Sequence, residues 1–547
     1  MSLKSPLEML YQWESTTPDK IYMRQPIDDV YHEYTWKQTA NEVRKMAAAL
    51  QAMDLPPQSK IGILSKNCVH WVLSDLAIMM AGHISIPMYP NLSAHTVKQI
   101  LDHSETKVLF VGKLDDYPSM KPGVPEHVHC ISFPFYAHSE YDNWDNLTEN
   151  VQPITENIVR EPDDLATIIY TSGTTGMPKG VMHSFHNFSF AATHALEKVG
   201  LDTEARFFSY LPLCHIAEKV LVEMGSIYTG GKVDFAESLD SFAANLAYSS
   251  PTVFLGVPRI WTKFQQGILG KLPQKKMDTL FKIPILSGLI KKKVRKGLGL
   301  NEATNVFTGA APTPASLIAW FEKLDIRIQE AYAMTENCCY SHVTLNDKIK
   351  IGYVGAPLPY CDVKLSGEQE ILVKHDALMQ GYYKEPELSA ESFTEDGFLR
   401  TGDKGEIDSE GFLKITGRLK DLFKTGKGKY VAPAPIELKI EGSSDIEQVC
   451  VVGTGLPQPI ALVVLSEEGK KKSQEDIQVN LTTCLESVNA QIDHHENMTK
   501  FIVMKDEWTV ENGILTPTMK IKRGDLEKLH SSNYETWYND SNTIIWE

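Results

Sequence analysis

The segment Tyr170-Thr171-Ser172-Gly173-Thr174-Thr175-Gly176-Met177-Pro178-Lys179-Gly180 gathers glycines, hydroxyls and one lysine directly after the apolar run Ala166-Thr167-Ile168-Ile169. That mixture suits a polyphosphate. Glycines let backbone N–H groups approach phosphate oxygens closely, Ser and Thr hydroxyls add donors, and the lysine supplies a full positive charge. The order excludes a Walker A loop, in which the lysine follows glycine and precedes Ser or Thr, because Lys179 follows Pro178 and precedes Gly180. A Gly/Ser/Thr stretch by itself reads as a flexible loop; the strand-like approach and the single lysine give this one a chemical reading.

Such a loop needs a frame. Lys60-Ile61-Gly62-Ile63-Leu64 reads as a buried strand, Trp71–Met80 as a helix, and Ile84–Tyr89 as a second strand stopped by Pro90. A helix near His95–Asp102 and a strand at Lys107–Val111 repeat the alternation, which predicts parallel sheets covered by helices. The expected fold class is therefore α/β, with a large N-terminal region of βαβ sheets. After Gly417-Arg418 the chain becomes rich in lysine and glycine. Beyond Ile436 it mixes strand-like segments (Val449–Val452, Ala461–Leu465) with a helix-like one (Glu475–His494), which predicts a small α+β C-terminal domain. The expected division is 1–418, a junction at 419–420, and 421–547.

A chain of 547 residues exceeds one hydrophobic core, and 42% hydrophobic with 23% charged residues is ordinary for a globular protein. The formal charge of −16 argues against nucleic acid as the main partner. Eight cysteines without a Cys-x-x-Cys spacing fit free thiols in a reducing compartment. The first residues lack the apolar centre of a signal peptide, and no apolar run is long enough to span a bilayer, so the expected location is cytoplasmic or peripheral at a membrane surface. One stretch opposes the global charge. Within 271–296, Lys271, Lys275, Lys276, Lys282, Lys291, Lys292, Lys293, Arg295 and Lys296 face only Asp278, around the apolar patch Phe281-Lys282-Ile283-Pro284-Ile285-Leu286. It reads either as peripheral contact with an anionic bilayer or as a solvated surface insertion.

The Tyr170–Gly180 segment resembles the signature loop of the adenylate-forming superfamily of acyl-CoA synthetases, luciferases and peptide-synthetase adenylation domains, and the resemblance continues along nearly the whole chain. It implies that Thr171, Ser172, Gly173, Thr174, Thr175, Gly176 and Lys179 cradle the phosphates of ATP. Gly309-Ala310-Ala311-Pro312 is similar to the small-residue turn beside adenine, and Gln329-Glu330-Ala331-Tyr332-Ala333-Met334-Thr335-Glu336 to the motif that places Glu330, Ala331 and a stacking Tyr332 at the base. In that motif Thr335 faces phosphate and Glu336 binds Mg²⁺. A single carboxylate with ATP oxygens suits a hard cation that keeps several waters. Asp403, in Thr401-Gly402-Asp403, matches a ribose-binding carboxylate, and Arg418 a nucleotide-contacting arginine. Lys420 matches the hinge about which the small domain rotates, and Gly428 a glycine beside the pantetheine of CoA. Lys520, in Leu515-Thr516-Pro517-Thr518-Met519-Lys520, matches the catalytic lysine, although relatives often carry glycine where Met519 stands. His215, in Leu211-Pro212-Leu213-Cys214-His215, matches a gate residue beside the acyl carboxylate, and Trp261 a tunnel-gating tryptophan.

The implied reaction converts a carboxylic acid and MgATP to acyl-AMP and pyrophosphate, and then a CoA thiol displaces AMP. Pro251–Trp261 and Asp421–Glu437 look most like long-chain fatty-acid–CoA ligases. The rival readings are an acyl-AMP ligase that loads a separate carrier protein, an aryl or short-chain acyl-CoA synthetase, and a catalytically silent lipid or nucleotide sensor.

Overall fold

The computed structural model describes residues 3–136, 138, 140–171 and 177–547. Two large sheets carry most of the chain. The first has nine strands, and its interior strands Ile328–Tyr332, Asn305–Thr308, Val253–Gly256, Arg206–Ser209, Lys232–Phe235 and Ile21–Ile27 all run parallel. From Arg206–Ser209 the chain first crosses to one neighbour, Lys232–Phe235, and then returns on the other side to Val253–Gly256. Connections leaving in opposite directions open a crevice at the carboxyl ends of those strands.

The second sheet has eight strands and places Lys60–Leu64 between Ile84–Met88 and Val108–Val111, all parallel. The strands and helices expected from the alternation are present: Lys60–Leu64, Val69–Ala81, Ile84–Met88, Ala94–Ser104 and Val108–Val111. Val69–Ala81 is buried around nearly its whole circumference, because it packs on the strand Ile21–Ile27 of one sheet and on Lys60–Leu64 and Ile84–Met88 of the other. Leu165–Thr171 joins the second sheet beside Ile84–Met88 and pairs antiparallel with Lys179–Ser184, in a register that sets Thr171 opposite Lys179. Both ends of the glycine-rich loop are thereby fixed to a sheet.

An antiparallel sheet of Asp362–Leu365, Glu370–Lys374, Leu399–Ile407 and Leu413–Arg418 leads to the small C-terminal domain. There Ile446–Val452, Ile460–Leu465, Phe501–Val503 and Ile544–Trp546 form a four-stranded sheet whose alternate residues feed two cores. Val449 and Val451 pack with Ile477 and Leu481, while Cys450 and Val452 pack with Trp508 and Trp537. The long helix runs Gln474–Asn489 and stops five residues short of the expected His494. Asn489 ends it by turning its amide to Met498, donating to the carbonyl at 2.8 Å and accepting from the N–H at 2.9 Å.

Candidate active site

The expected site residues of the large domain mostly follow the carboxyl ends of parallel strands. Gly309-Ala310-Ala311 follows Asn305–Thr308, Tyr332 ends Ile328–Tyr332, and His215 follows Arg206–Ser209 at the reversal point. Gly309 lies close to its neighbour strand, since a Cβ there would sit 3.2 Å from the Ala331 carbonyl oxygen. Ala310 takes the left-handed conformation with φ of 64°, a turn that small side chains tolerate best. Small residues keep this rim low, which fits a flat base. Of the loop positions, Ser172, Gly173, Thr174, Thr175 and Gly176 lie outside the described residues.

Asp403 joins two of the expected nucleotide residues. It stands opposite Arg418 across the strands Leu399–Ile407 and Leu413–Arg418, and Arg418 Nε donates to Asp403 Oδ1 at 2.8 Å. Tyr332 Oη donates to Asp403 Oδ2 at 2.8 Å. Burial and the adjacent Asp403 hold the Tyr332 phenol far above its ordinary pKa, and Asp403 raises that of Arg418. Tyr332 therefore stays a neutral donor and Arg418 a fixed cation.

Glu336 lies in a short turn, Thr335–Asn337, clamped from the second sheet. Tyr382 Oη donates to Glu336 Oε1 at 2.8 Å, and Lys179 Nζ lies 5.4 Å from the centre of the same tyrosine ring. His183 Nε2 lies 2.8 Å from the Thr335 carbonyl oxygen. Burial lowers the His183 pKa to about 4, so the ring is neutral and this nitrogen carries the proton. Glu336 Oε2 makes no hydrogen bond among the described residues, which leaves a carboxylate oxygen suited to a hard cation. Glu330 points elsewhere: its Oε2 accepts from the Gly352 N–H at 2.9 Å, and burial raises its pKa to about 7.

His215 caps the short helix Ile216–Glu218, its Nδ1 accepting from the Ala217 N–H at 3.2 Å. With Nδ1 an acceptor, the proton of the neutral ring sits on Nε2. Burial first and then Lys520 lower its pKa to about 4. Beneath it, Glu218 Oε1 accepts from Ser209 Oγ and the Tyr210 N–H, both at 3.0 Å. The next turn, Lys219–Met224, is a π-helix, a widened turn found often at functional sites. Lys219 Nζ there reaches Asp75 at 2.7 Å and Glu223 at 3.1 Å, with all three side chains fully buried. Burial opposes the Lys219 charge, yet the two carboxylates outweigh it and raise its pKa.

The C-terminal domain brings Lys520 to this group. Its pKa is lowered first by desolvation and then by Arg418, against the opposing pull of Asp403 and Glu336. Lys520 is thus within electrostatic reach of Arg418, Asp403 and Glu336. The turn carrying it is held by its own backbone, Thr516 N–H donating to the Lys520 carbonyl at 2.8 Å. Met519 occupies the left-handed region with φ of 64°. That is a glycine-like conformation at the position where relatives often have glycine. Across the domain boundary, Asn91 Nδ2 donates to the Pro517 carbonyl at 3.3 Å, and Arg259 meets Glu447 at 2.5 Å.

Three expected residues stand apart from this cluster. Lys420 lies in the turn Leu419–Asp421. Gly428 sits with φ of 79° in an exposed hairpin, its N–H donating to the Thr425 carbonyl at 2.8 Å. Trp261 is fully buried among Phe254, Phe264 and Phe321, its indole N–H on the Gly256 carbonyl at 3.0 Å. Tyr382, His183 and Lys219 were not singled out from the sequence. Only Lys219 left a local sign, a Lys/Glu pair four residues apart inside an apolar run.

Comparison with known proteins identifies the family. The AMP-binding enzyme family matches residues 10–383, and the AMP-binding enzyme C-terminal domain matches residues 420–542. The chain belongs to the AMP-binding enzymes. It is 28% identical over 582 residues to a long-chain-fatty-acid–CoA ligase, FadD15, of Mycobacterium bovis, covering 97% of this chain and 96% of that one. It is 27% identical over 598 residues to the long-chain-fatty-acid–CoA ligase ACSBG2 of Xenopus laevis, covering 94% and 81%. Its fold matches the A domain of carboxylic acid reductase from Segniliparus rugosus in complex with AMP, with a TM-score of 0.80, 19% identity, and coverage of 98% and 94%. This AMP-binding enzyme is thus an adenylate-forming protein of mixed α/β fold with a small C-terminal domain.

Proposed function

We propose that the protein activates a long-chain fatty acid to acyl-AMP with release of pyrophosphate and then transfers the acyl group to CoA. The observation that carries this reading is that the turn bearing Lys520 docks on the large domain where Asn91 donates to the Pro517 carbonyl, with Lys520 in electrostatic reach of His215, Arg418, Asp403 and Glu336. In this reading Lys520 offsets the negative charge that builds as the carboxylate attacks the α-phosphate. Asp403, held by Tyr332 and Arg418, accepts from the ribose hydroxyls through its remaining lone pairs. Tyr332 and the low Gly309–Ala311 rim flank the base. Lys179 and Thr335 meet the phosphates together with the loop residues. Glu336 and ATP oxygens would hold Mg²⁺, which neutralises phosphate charge when bound. His215, neutral and protonated on Nε2, offers a donor beside the acyl carboxylate. Rotation about Lys420 would then withdraw Lys520 and bring Gly428 beside the CoA arm.

Long-chain acids are favoured by the relatives, which are named for that substrate and match over nearly the full chain. Free thiols at all eight cysteines fit a cytoplasmic setting. The decisive experiment is AMP release from MgATP with palmitate, octanoate or benzoate, each with and without CoA. Turnover with palmitate that requires CoA and yields acyl-CoA is the expected result. Accumulation of acyl-AMP despite CoA would replace CoA by a carrier protein. Preference for octanoate or benzoate would overturn the chain length, and no reaction with any acid would overturn the enzyme reading.

A further inference from the structure

The helix Pro284–Gly297 has no buried residue, although it lies within the large domain. Its inward side is nevertheless anchored. Lys291 Nζ reaches Asp325 at 2.9 Å and lies 5.7 Å from the centre of the Phe281 ring, and Val294 and Leu298 pack against the cluster that contains Trp261. The outward side repeats every three to four residues through Ile285, Leu289, Lys292, Lys293 and Lys296, all exposed. Ile285 is 83% exposed, Leu289 62%, and Ile283, just before the helix, 51%. One face therefore carries bare aliphatic side chains along its first half and ammonium groups along its second. Lys282 adds charge beside the aliphatic end, and Lys271, Lys275 and Lys276 are exposed on the preceding segments.

We propose that this face docks on an anionic lipid bilayer. The charge is complementary where the rest of the chain is not: nine basic residues and one acid occupy 271–296 in a protein whose formal charge is −16. Lysines alone would suit any polyanion, and the adjacent aliphatic residues decide in favour of a bilayer. Side chains such as Ile283, Ile285 and Leu289 lose water contact by entering the boundary between headgroups and acyl chains, while flanking lysines reach lipid phosphates. Among the described residues no helix is long and apolar enough to cross a membrane, so the attachment is superficial and reversible. The anchoring also has a direction, because the inward side of the helix rests on the aromatic cluster around Trp261.

Flotation of the full-length protein with vesicles tests this, without ATP or acid, so that the outcome does not depend on the catalytic reading. Vesicles of phosphatidylcholine with phosphatidylglycerol should carry the protein, vesicles of phosphatidylcholine alone should carry little, and added salt should release it. The triple variant K292E/K293E/K296E should lose at least about 100-fold in vesicle affinity, and I285N/L289N at least about tenfold. Lys291 is left intact because of its bond to Asp325, and unchanged thermal midpoints verify that both variants are folded. Undiminished flotation of either variant overturns the proposal. So does binding to soluble polyglutamate as tight as to vesicles, which would assign the face to an acidic protein. A self-associating wild type made monomeric by I285N/L289N, with no vesicle binding, would assign it to a second copy of the chain.

Discussion

The two sides of the candidate site are built differently. On the large domain several polar groups are held by partners distant in sequence: Asp403 holds Tyr332 and Arg418, Tyr382 holds Glu336, and His183 lies on the Thr335 carbonyl. Lys520 instead sits in a turn closed by its own backbone, and the domain carrying it reaches the large one through contacts as slight as Asn91 with Pro517 and Arg259 with Glu447. The difference separates a template from a lever. In the proposed reaction, the groups that fix the nucleotide are locked over sheets, whereas Lys520, needed in only one half-reaction, is mounted where leaving costs little.

Removing the lever should have the largest effect. Lys520→Ala should slow acyl-AMP formation by about 10²- to 10³-fold while leaving thioester formation from supplied acyl-AMP nearly intact; equal losses in both assays would show that Lys520 is part of the template. Beneath the template, burial raises the Glu218 pKa from 4.5 to about 8. Its folded form therefore retains a proton that the unfolded chain sheds, so its stabilising contribution is complete below pH 4.5 and fades as the pH rises towards 8. Between about pH 5 and about pH 8 that loss is roughly 3 kcal/mol. Glu218→Gln should flatten this slope in urea denaturation, and an unchanged slope would mean that Glu218 is charged in the folded protein. Tyr382→Phe frees Glu336 from its clamp, and the Mg²⁺ concentration needed for half-maximal pyrophosphate release should rise about tenfold. Arg259→Ala should change stability by less than about 1 kcal/mol because the pair with Glu447 is partly solvated. A modest shift from adenylation towards thioesterification would confirm it as a latch, whereas a large loss of both would join it to the template.

The alternation of apolar runs made the interior strands readable, because a buried parallel strand such as Val108–Val111 is uniformly apolar and Pro90 stops the strand that begins at Ile84. The same reading extended the helix to His494, since the pairing of Asn489 with Met498 is a side-chain event that apolar periodicity cannot register. Among the expected site residues, Tyr332, Glu336 and Lys520 were named from contiguous motifs. Tyr382 was not: it lies 46 residues from Glu336 and meets it only when Gly381–Tyr382 adds to the edge of the second sheet. Lys219 and Asp75 are 144 residues apart, and no local pattern announces their buried contact. Charge counting exposed the basic stretch, but only the folded helix showed that Lys291 turns inward while Lys292 and Lys293 do not.

The left-handed backbone at Met519 makes this turn an unusual target for engineering. A non-glycine residue there costs about 1 kcal/mol in the folded chain, while a glycine would add a similar entropic cost through the unfolded one. Because the two nearly cancel and the Met519 side chain is 46% exposed, glycine and methionine give almost the same folding free energy. They differ in how many conformations the turn can visit. In the proposed reaction the residue beside Lys520 can thus set the tempo of the lever without touching the stability of the protein, so exchange at this position should leave a melting curve unchanged and show only in the kinetics of switching.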